Sequence, residues 1–370
     1  MSTLGPHIVI DCGSGLTKAG FASSSKPQCM FPSMLGGLKD TQGGCYIGRD
    51  AYDRRETLVT RYPVRRGVVR NWDDMERLLE HVFLTELKAQ PTNHPVIMAE
   101  PCLNPEANRE GFMQLLFETF NVPATYIFIQ GVAALYASGR TTGLVVEIGE
   151  DITQVLSITS GYAKPNACSR VDFGGGDITT WMAALLDESG LGSGSLLSDR
   201  ERIRELKEQF GYIALSQKSK KRLRHTRADP NNVRYRLPDG REITLGSELY
   251  CCAEALFQPN LAGIQSEGLT AMIHNMINLW DSSHHKKLYG NIVLSGGTSM
   301  FSGLSKRLKK DLRAKTPTPI RIKVHAASGR EYAVWSGAAA VSSLENFQPF
   351  LITKKEYEET GSSIVFRKCF

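Results

Sequence analysis

Two stretches far apart in the chain repeat one pattern. His7-Ile8-Val9-Ile10 runs into Asp11-Cys12-Gly13-Ser14-Gly15, and Leu144-Val145-Val146 runs into Glu147-Ile148-Gly149-Glu150-Asp151-Ile152-Thr153. Each is a short β-branched apolar run, then a carboxylate, then a glycine turn. Each leads into a second strand-like stretch, residues 18–21 and 154–158. The pattern predicts a β-hairpin with a polar tip, occurring twice. Recurrence at this spacing points to a duplicated α/β unit with the two tips facing one another. A chain of 370 residues is too long for one ordinary core and suits two lobes. Apolar residues near period 3.6 predict helices over 72–87, 108–120 and 132–138, and over 178–186, 201–215, 270–280 and 304–312. Asn71 is placed to cap the first of these. Strands alternating with helices give α/β layers as the fold class.

Composition narrows the function classes. Hydrophobic residues are 41% and charged residues 22%, near the average of soluble globular chains, which excludes a disordered chain. No apolar run reaches the ~18 residues of a membrane-spanning helix. Residues 1–10 are too short and too weakly apolar for a secretory signal. The eight cysteines show no Cys-x-x-Cys and no zinc-like spacing with histidine, so free thiols in a reducing compartment are expected. Lys and Arg number 44 and Asp and Glu 38, and 44 − 38 gives +6. Six of those cations lie in Ser216-Gln217-Lys218-Ser219-Lys220-Lys221-Arg222-Leu223-Arg224-His225-Thr226-Arg227, without an acidic residue. The rest of the chain is neutral, since 6 − 6 is zero. The bland reading of this run is a solvated loop. The functional one is a docking patch for an acidic protein, polyanion or membrane surface, made by Lys218, Lys220, Lys221, Arg222, Arg224 and Arg227. No aromatic residue interleaves the cations, which argues against sequence-specific nucleic-acid reading.

The hairpin tips have the chemistry of a phosphate site. Glycines let backbone N–H groups approach an anion without Cβ obstruction. Ser14 adds a hydroxyl, Lys18 a charge within reach of terminal phosphate oxygens, and Asp11 a carboxylate suited to a hydrated divalent cation. One such turn alone reads as an ordinary glycine turn; a second at the facing tip makes a site. Ile292-Val293-Leu294-Ser295-Gly296-Gly297-Thr298-Ser299-Met300 is a third glycine element, and Asp172-Phe173-Gly174-Gly175-Gly176-Asp177 a fourth, each ahead of a helix. Neither a Walker A nor a Gly-x-Gly-x-x-Gly motif is present. Together these elements describe a nucleotide held between two lobes.

At these residues the chain resembles actin and the actin-related proteins, over essentially its whole length. The resemblance rests on residues 11–18, Asn71-Trp72-Asp73-Asp74-Met75-Glu76, Leu103-Asn104-Pro105, Ala107-Asn108-Arg109-Glu110, Phe117-Glu118-Thr119-Phe120-Asn121, residues 135–143, Leu237-Pro238-Asp239-Gly240, Glu254-Ala255-Leu256-Phe257, residues 294–298 and Arg367-Lys368-Cys369-Phe370. It implies a duplicated ribonuclease-H-type α/β fold, two lobes each of two subdomains around a nucleotide cleft. The implied boundaries are 1–31, 65–137 and 333–370 for subdomain 1, and 32–64 for subdomain 2. Subdomain 3 takes 138–173 and 265–332, and subdomain 4 takes 174–264 with the basic run. The implied cofactors are ATP or ADP with Mg²⁺ or Ca²⁺. Carried over by position, Gly13, Ser14, Gly15, Leu16 and Lys18 contact phosphate, and Gly149, Asp151 and Gly175 of the second half count among the nucleotide-binding residues. Lys207 and Glu208 match the adenosine-contacting pair, and Gly296, Gly297, Thr298 and Met300 the turn over the nucleotide. Gln130 matches the glutamine that orients the attacking water. Asp11 and Glu147 match the carboxylates that hold the cation through water.

The departures from that pattern point away from a conventional actin. Cys12 replaces an asparagine. Asp151 replaces a glycine beside the terminal phosphate, and a carboxylate ~4 Å from a phosphate oxygen costs about 4 kcal/mol at an effective dielectric of ~20. Unless Asp151 turns away, ATP is weakened relative to ADP. Gln154 replaces the histidine that assists the water, and an amide takes up no proton near neutral pH. Glu331 replaces a lysine beside the adenine, and Arg66 a histidine near the phosphate-sensing region. Slow or absent hydrolysis is expected. The subunit-contact link, residues 35–45, is short and carries Gly36, Gly37, Gly43 and Gly44, so poor self-assembly is expected.

The reading is a divergent actin-related protein, a cytoskeletal structural or scaffold subunit and at most a slow ATPase. Its expected partners are actin-family or cytoskeletal proteins, with an acidic protein for the basic run, and its expected place is the cytoplasm and cytoskeleton. The alternatives are a conventional filament-forming, ATP-hydrolysing actin and a nuclear chromatin-complex subunit, for which the basic run would serve as an import signal. A sugar kinase or heat-shock-type chaperone of the same superfold has no supporting segment here, because actin-like text runs to Phe370.

Overall fold

Both repeated stretches form the expected hairpins, and each hairpin seeds a sheet of the same topology. The computed structural model describes residues 4–38, 44–191, 199–215, 232–237, 240–317 and 319–369. In the first lobe, β1 (Ile8–Cys12) pairs antiparallel with β2 (Leu16–Phe21), and β2 with β3 (Cys29–Pro32). A small sheet follows, in which β4 (Leu35–Leu38) lies between β5 (Tyr46–Ile47) and β6 (Leu58–Arg61). The hairpin of β7 (Val64–Arg65) and β8 (Val68–Val69) comes next. Parallel strands β9 (Val96–Glu100) and β10 (Ala124–Ile129) then extend the main sheet from β1.

The second lobe repeats this plan. β11 (Gly143–Ile148), β12 (Thr153–Thr159) and β13 (Tyr162–Val171) form an antiparallel meander. A separate hairpin joins β14 (Val233–Arg236) to β15 (Glu242–Leu245). Parallel strands β16 (Ile292–Ser295) and β17 (Val324–His325) extend the sheet from β11. The orders are therefore β3-β2-β1-β9-β10 and β13-β12-β11-β16-β17, with β18 (Ile352–Thr353) added to the first edge. Register repeats as well: Asp11 faces Lys18 across the first hairpin, and Glu147 faces Gln154 across the second.

Each sheet has its own core. Ile8, Ile10, Leu78, Phe83 and Phe117 fill the first, and Ile178, Met182, Ile273, Leu294 and Leu308 the second. Helices Gln130–Ala137 and Ala333–Ser342 cross between the sheets. They cross closely because position 337 is glycine: a Cβ there would lie 1.7 Å from the carbonyl oxygen of Ala133. Trp335, fully buried, donates its indole N–H to the carbonyl of Val9 at 3.0 Å and ties this crossing to β1.

Several expectations are corrected. The helix read over 72–87 is α-helical only over Trp72–Glu80 and continues as a π-helical stretch, His81–Glu86. Asn71 does cap it, accepting from the N–H of Asp74 at 2.9 Å. The 108–120 helix likewise divides into Glu106–Gln114 and a π-helical Leu115–Thr119. The 201–215 helix is Arg200–Phe210 and stops at Gly211, which is extended (ψ 143°) and where an added Cβ would meet the carbonyl oxygen of Lys207 at 2.4 Å. The link read from residue 35 begins as β4, paired on both sides, and residues 39–43 lie outside the described ones. Cys102 and Cys168 are not free thiols but are joined as a disulfide, whereas Cys12, Cys29, Cys45, Cys252 and Cys369 are free. Local spacing could not reveal this, because the pair lies 66 residues apart. The basic run 216–227, with Lys218, Lys220, Lys221, Arg222, Arg224 and Arg227, lies outside the described residues. Among the described residues, no helix is long and apolar enough to cross a membrane.

Candidate functional site

The two hairpin tips meet. Each tip spans four residues and closes with one backbone bond, Gly13 N–H to the carbonyl of Leu16 at 3.1 Å and Gly149 N–H to that of Ile152 at 2.9 Å. A Cβ on Gly15 would sit 3.0 Å from Cβ of Glu150, so glycine lets the first tip lie against the second. Between them lies a narrow cleft of about 120 Å³, lined by residues of both tips.

The floor is a chain of carboxylates and amides. Lys18 Nζ lies 2.8 Å from Asp11 Oδ2, and Gln130 Nε2 donates to Asp11 Oδ1 at 3.1 Å. Gln154 Nε2 donates to Glu147 Oε2 at 2.9 Å and to Gln130 Oε1 at 3.2 Å, and its Oε1 accepts from the N–H of Cys102 at 2.9 Å. Burial, and then the neighbouring Asp11 carboxylate, push the Glu147 carboxyl up to about 8. Asp11 and Glu147 thus face each other without a direct protein cation on Glu147. Two carboxylates, with room for water, fit a divalent ion that keeps its hydration shell. The described residues hold no cluster of three metal-ligating side chains.

The second tip corrects the expected clash. Asp151 turns its carboxylate to the β7–β8 hairpin, where Oδ2 accepts from the backbone N–H of Arg66 at 2.9 Å. Oδ1 lies 3.9 Å from Arg65 Nη1. Arg66 also donates to the carbonyl of Asp151 and grips Asp177 with two bonds of 2.7 and 2.8 Å. Arg66 adopts φ 49° and Gly67 φ 68°, the left-handed pair of a two-residue hairpin turn. That turn aims Arg66 across the cleft mouth. The bare repulsion of about 4 kcal/mol at ~4 Å is reduced for a carboxylate that accepts a backbone N–H and has one guanidinium, that of Arg65, at 3.9 Å. Glu150 is likewise faced by a cation, with Arg200 Nη2 3.7 Å from its Oε1.

The far end of the cleft is built from helix Arg200–Phe210 and the β16 turn. Gly296 takes φ 87° and lies on the backbone of Ile148; Thr298 Oγ1 donates to the carbonyl of Gly149 at 2.8 Å. Arg204 bonds Glu208 at 3.1 Å and Glu201 at 3.0 Å. Glu331 stands in the wall, with Oε2 buried and without a hydrogen-bond partner among the described residues.

Of the residues expected from the sequence, Asp11, Gly13, Ser14, Gly15, Leu16, Lys18, Gln130, Glu147, Gly149, Asp151, Gln154, Glu208, Gly296, Gly297 and Thr298 line this one cleft. Lys207, Gly175 and Met300 do not. Lys207 is 2% exposed and donates to the carbonyl of Gly175 at 2.7 Å, and burial lowers its pKa. It braces the wall from behind. Met300 is 42% exposed, outside the lining. Gly67, Pro101, Ile152 and Arg204 line the cleft without having been anticipated. For Arg204 a signal existed, because Glu201, Arg204 and Glu208 fall on one helical face. The straps between the lobes were also missed: Arg55 to Asp199 at 2.9 Å and the Tyr62 hydroxyl to Glu201 at 3.0 Å. A family model described as Actin matches residues 5–370.

Proposed function

The chain belongs to the actin family, and on that premise we propose that it is a divergent actin-related protein, a structural or scaffold subunit whose cleft holds ATP or ADP with a divalent cation and hydrolyses it weakly or not at all. The observation that carries the reading is the fixed amide of Gln154, held at both ends by Glu147, Gln130 and Cys102. It stands beside the glutamine proposed to orient water, and it cannot accept a proton near neutral pH. The bound nucleotide supplies the phosphate charge that the tips would neutralise. Gly13, Ser14, Gly15, Leu16 and Lys18 would hold the phosphates from one tip, and Gly149 from the other. Asp11 and Glu147 would hold the cation through water. Glu208, Gly296, Gly297 and Thr298 would bound the nucleoside, with Lys207 and Gly175 as bracing behind them. The subdomain boundaries implied by the family are proposed for this chain as well.

A Gln154→His variant tests the assignment. Phosphate release in a single turnover is expected to rise by about tenfold or more, since a positioned base contributes roughly 10²–10⁴-fold at best. An unchanged rate would show that the amide is not what limits hydrolysis.

We propose weak self-assembly for the same chain, because the contact segment after β4 is short and glycine-rich. Negative-stain microscopy of the purified protein under polymerising conditions is expected to show no long filaments; abundant ones would restore the conventional reading. The proposed partners are cytoskeletal proteins, in the cytoplasm or, for the alternative reading, in a nuclear complex. The basic run would dock an acidic one. Neutralising Lys218, Lys220, Lys221 and Arg222 is expected to lower recovery of that partner while leaving nucleotide affinity intact. Equal recovery would leave the run as a solvated loop.

A further inference from the structure

We propose that Cys102 and Cys168 form a redox clamp that locks the two lobes around the cleft. Cys102 follows β9 of the first sheet, and Cys168 lies on β13 of the second, so their bond crosses from lobe to lobe. It is the one disulfide among the described residues. The bridge sits between floor and mouth of the cleft. On the floor side, the N–H of Cys102 holds Gln154 at 2.9 Å. On the mouth side, Arg170, two residues along from Cys168, donates to the carbonyl of Cys102 at 3.3 Å and to that of Arg66 at 2.5 Å. Arg66 in turn grips Asp177 and Asp151 of the second lobe.

Apart from the buried bonds of Gln154 to Gln130 and to the N–H of Cys102, the other straps named across this boundary involve partly exposed groups, and exposed ion pairs are individually weak. The disulfide differs in kind. Its Cα atoms lie 6.8 Å apart, and separations beyond about 7 Å cannot be bridged. The turn after β9 and strand β13, which carry the two cysteines, therefore cannot part while the bond persists. Entry and exit of a cleft ligand depend on the population of open lobes, and the bond removes that population.

The chemistry balances with a low-molecular-weight disulfide as oxidant. The two thiols lose two protons and two electrons, the Sγ–Sγ bond forms, and the oxidant's S–S bond is cleaved to two thiols. In reverse, an external thiolate attacks Sγ of Cys168, which is partly buried, whereas Cys102 is 5% exposed. Cys102 leaves as thiolate and takes up a proton, and a second external thiol resolves the mixed disulfide.

The consequence for nucleotide exchange rests on the function proposed above; the clamp itself does not. The full chain is equilibrated with oxidised or reduced glutathione and examined by non-reducing peptide mapping, by hydrogen exchange at residues 64–69 and 149–153, and by release of a fluorescent ATP analogue. The oxidised protein should yield the Cys102–Cys168 linked peptide, exchange more slowly at both segments and release the analogue about tenfold more slowly. Cys102→Ser and Cys168→Ser, each checked for folding by thermal melting, should lose the difference between redox states. Absence of the linked peptide after oxidation, or equal hydrogen exchange of the native sequence in both states, overturns the clamp. A chain that binds no analogue in either state overturns the nucleotide reading instead, and peptide map and hydrogen exchange then decide the clamp.

Discussion

Replacing Lys18 with methionine is expected to weaken ATP binding by about a hundredfold, or ~2.7 kcal/mol. Lys18 is the cation that β2 sets opposite Asp11, with a side chain only 13% exposed. A hydrogen bond to a charged group in such a place contributes about 1.5–3 kcal/mol, and the Coulomb attraction of a phosphate oxygen adds to it. Methionine keeps the packing of the stem and removes only the charge. The loss should be larger for ATP than for ADP, because the lysine is assigned to the terminal phosphate. The substitution also takes the ammonium from a carboxylate that is 2% exposed, so the apo protein should melt earlier. Titration with a fluorescent analogue, in parallel with a melting curve, separates the two effects. Less than threefold loss of affinity in a folded variant would remove Lys18 from the site.

The second large effect is expected at Gly337. A Cβ there would approach the carbonyl oxygen of Ala133 to 1.7 Å, its carbon to 2.5 Å and the N–H nitrogen of Ala137 to 3.0 Å. All three are backbone atoms, so no side chain can rotate away. Gly337→Ala must push helix Ala333–Ser342 from helix Gln130–Ala137, and overpacking of this kind costs about 1–3 kcal/mol, with the upper end expected here. The displacement also reaches the cleft, because Gln130 opens the second of these helices and bonds both Asp11 and Gln154. Gly290→Ala is the control: nothing lies within 4 Å of its Cβ position, and its effect should stay within about 0.5 kcal/mol. Chemical denaturation of the two variants makes the comparison. Equal midpoints would mean that the helix crossing is loose.

The parts of the site that follow from local spacing were readable in the sequence. The β-branched apolar run of β1, the carboxylate near its end and the glycines of the tip appear within a dozen residues, and a similar pattern recurs before β12. Duplication then predicted facing tips, and the two sheets share one strand order. The resemblance to a family supplied what local physics could not, Glu208 at the far end of the cleft, whereas the Gly296 turn already read as a glycine element ahead of a helix. Contacts between distant residues stayed hidden. Asp151 read as a repulsive charge because Arg66, 85 residues earlier, could not be seen to face it. Lys207 read as a ligand contact, yet burial and the carbonyl of Gly175 claim its ammonium. The cysteines read as free because their pairing depends on how the lobes close, which no spacing encodes.

These corrections alter the electrostatic part of the account and leave the chemical part in place. Asp151 turns its carboxylate to the backbone N–H of Arg66 and towards Arg65, which lessens the repulsion expected of it. The proposed deficit in hydrolysis therefore rests on Gln154, whose amide is held by Glu147, Gln130 and the N–H of Cys102. The most direct test loads the purified full chain with γ-labelled ATP, removes the excess and follows bound label and free phosphate through a single turnover. The expected result is label retained on the protein, with phosphate released far more slowly than by conventional actin measured alongside. Phosphate release at the rate of conventional actin, or no retention of label at all, would contradict the proposal of a nucleotide-holding, hydrolysis-poor cleft.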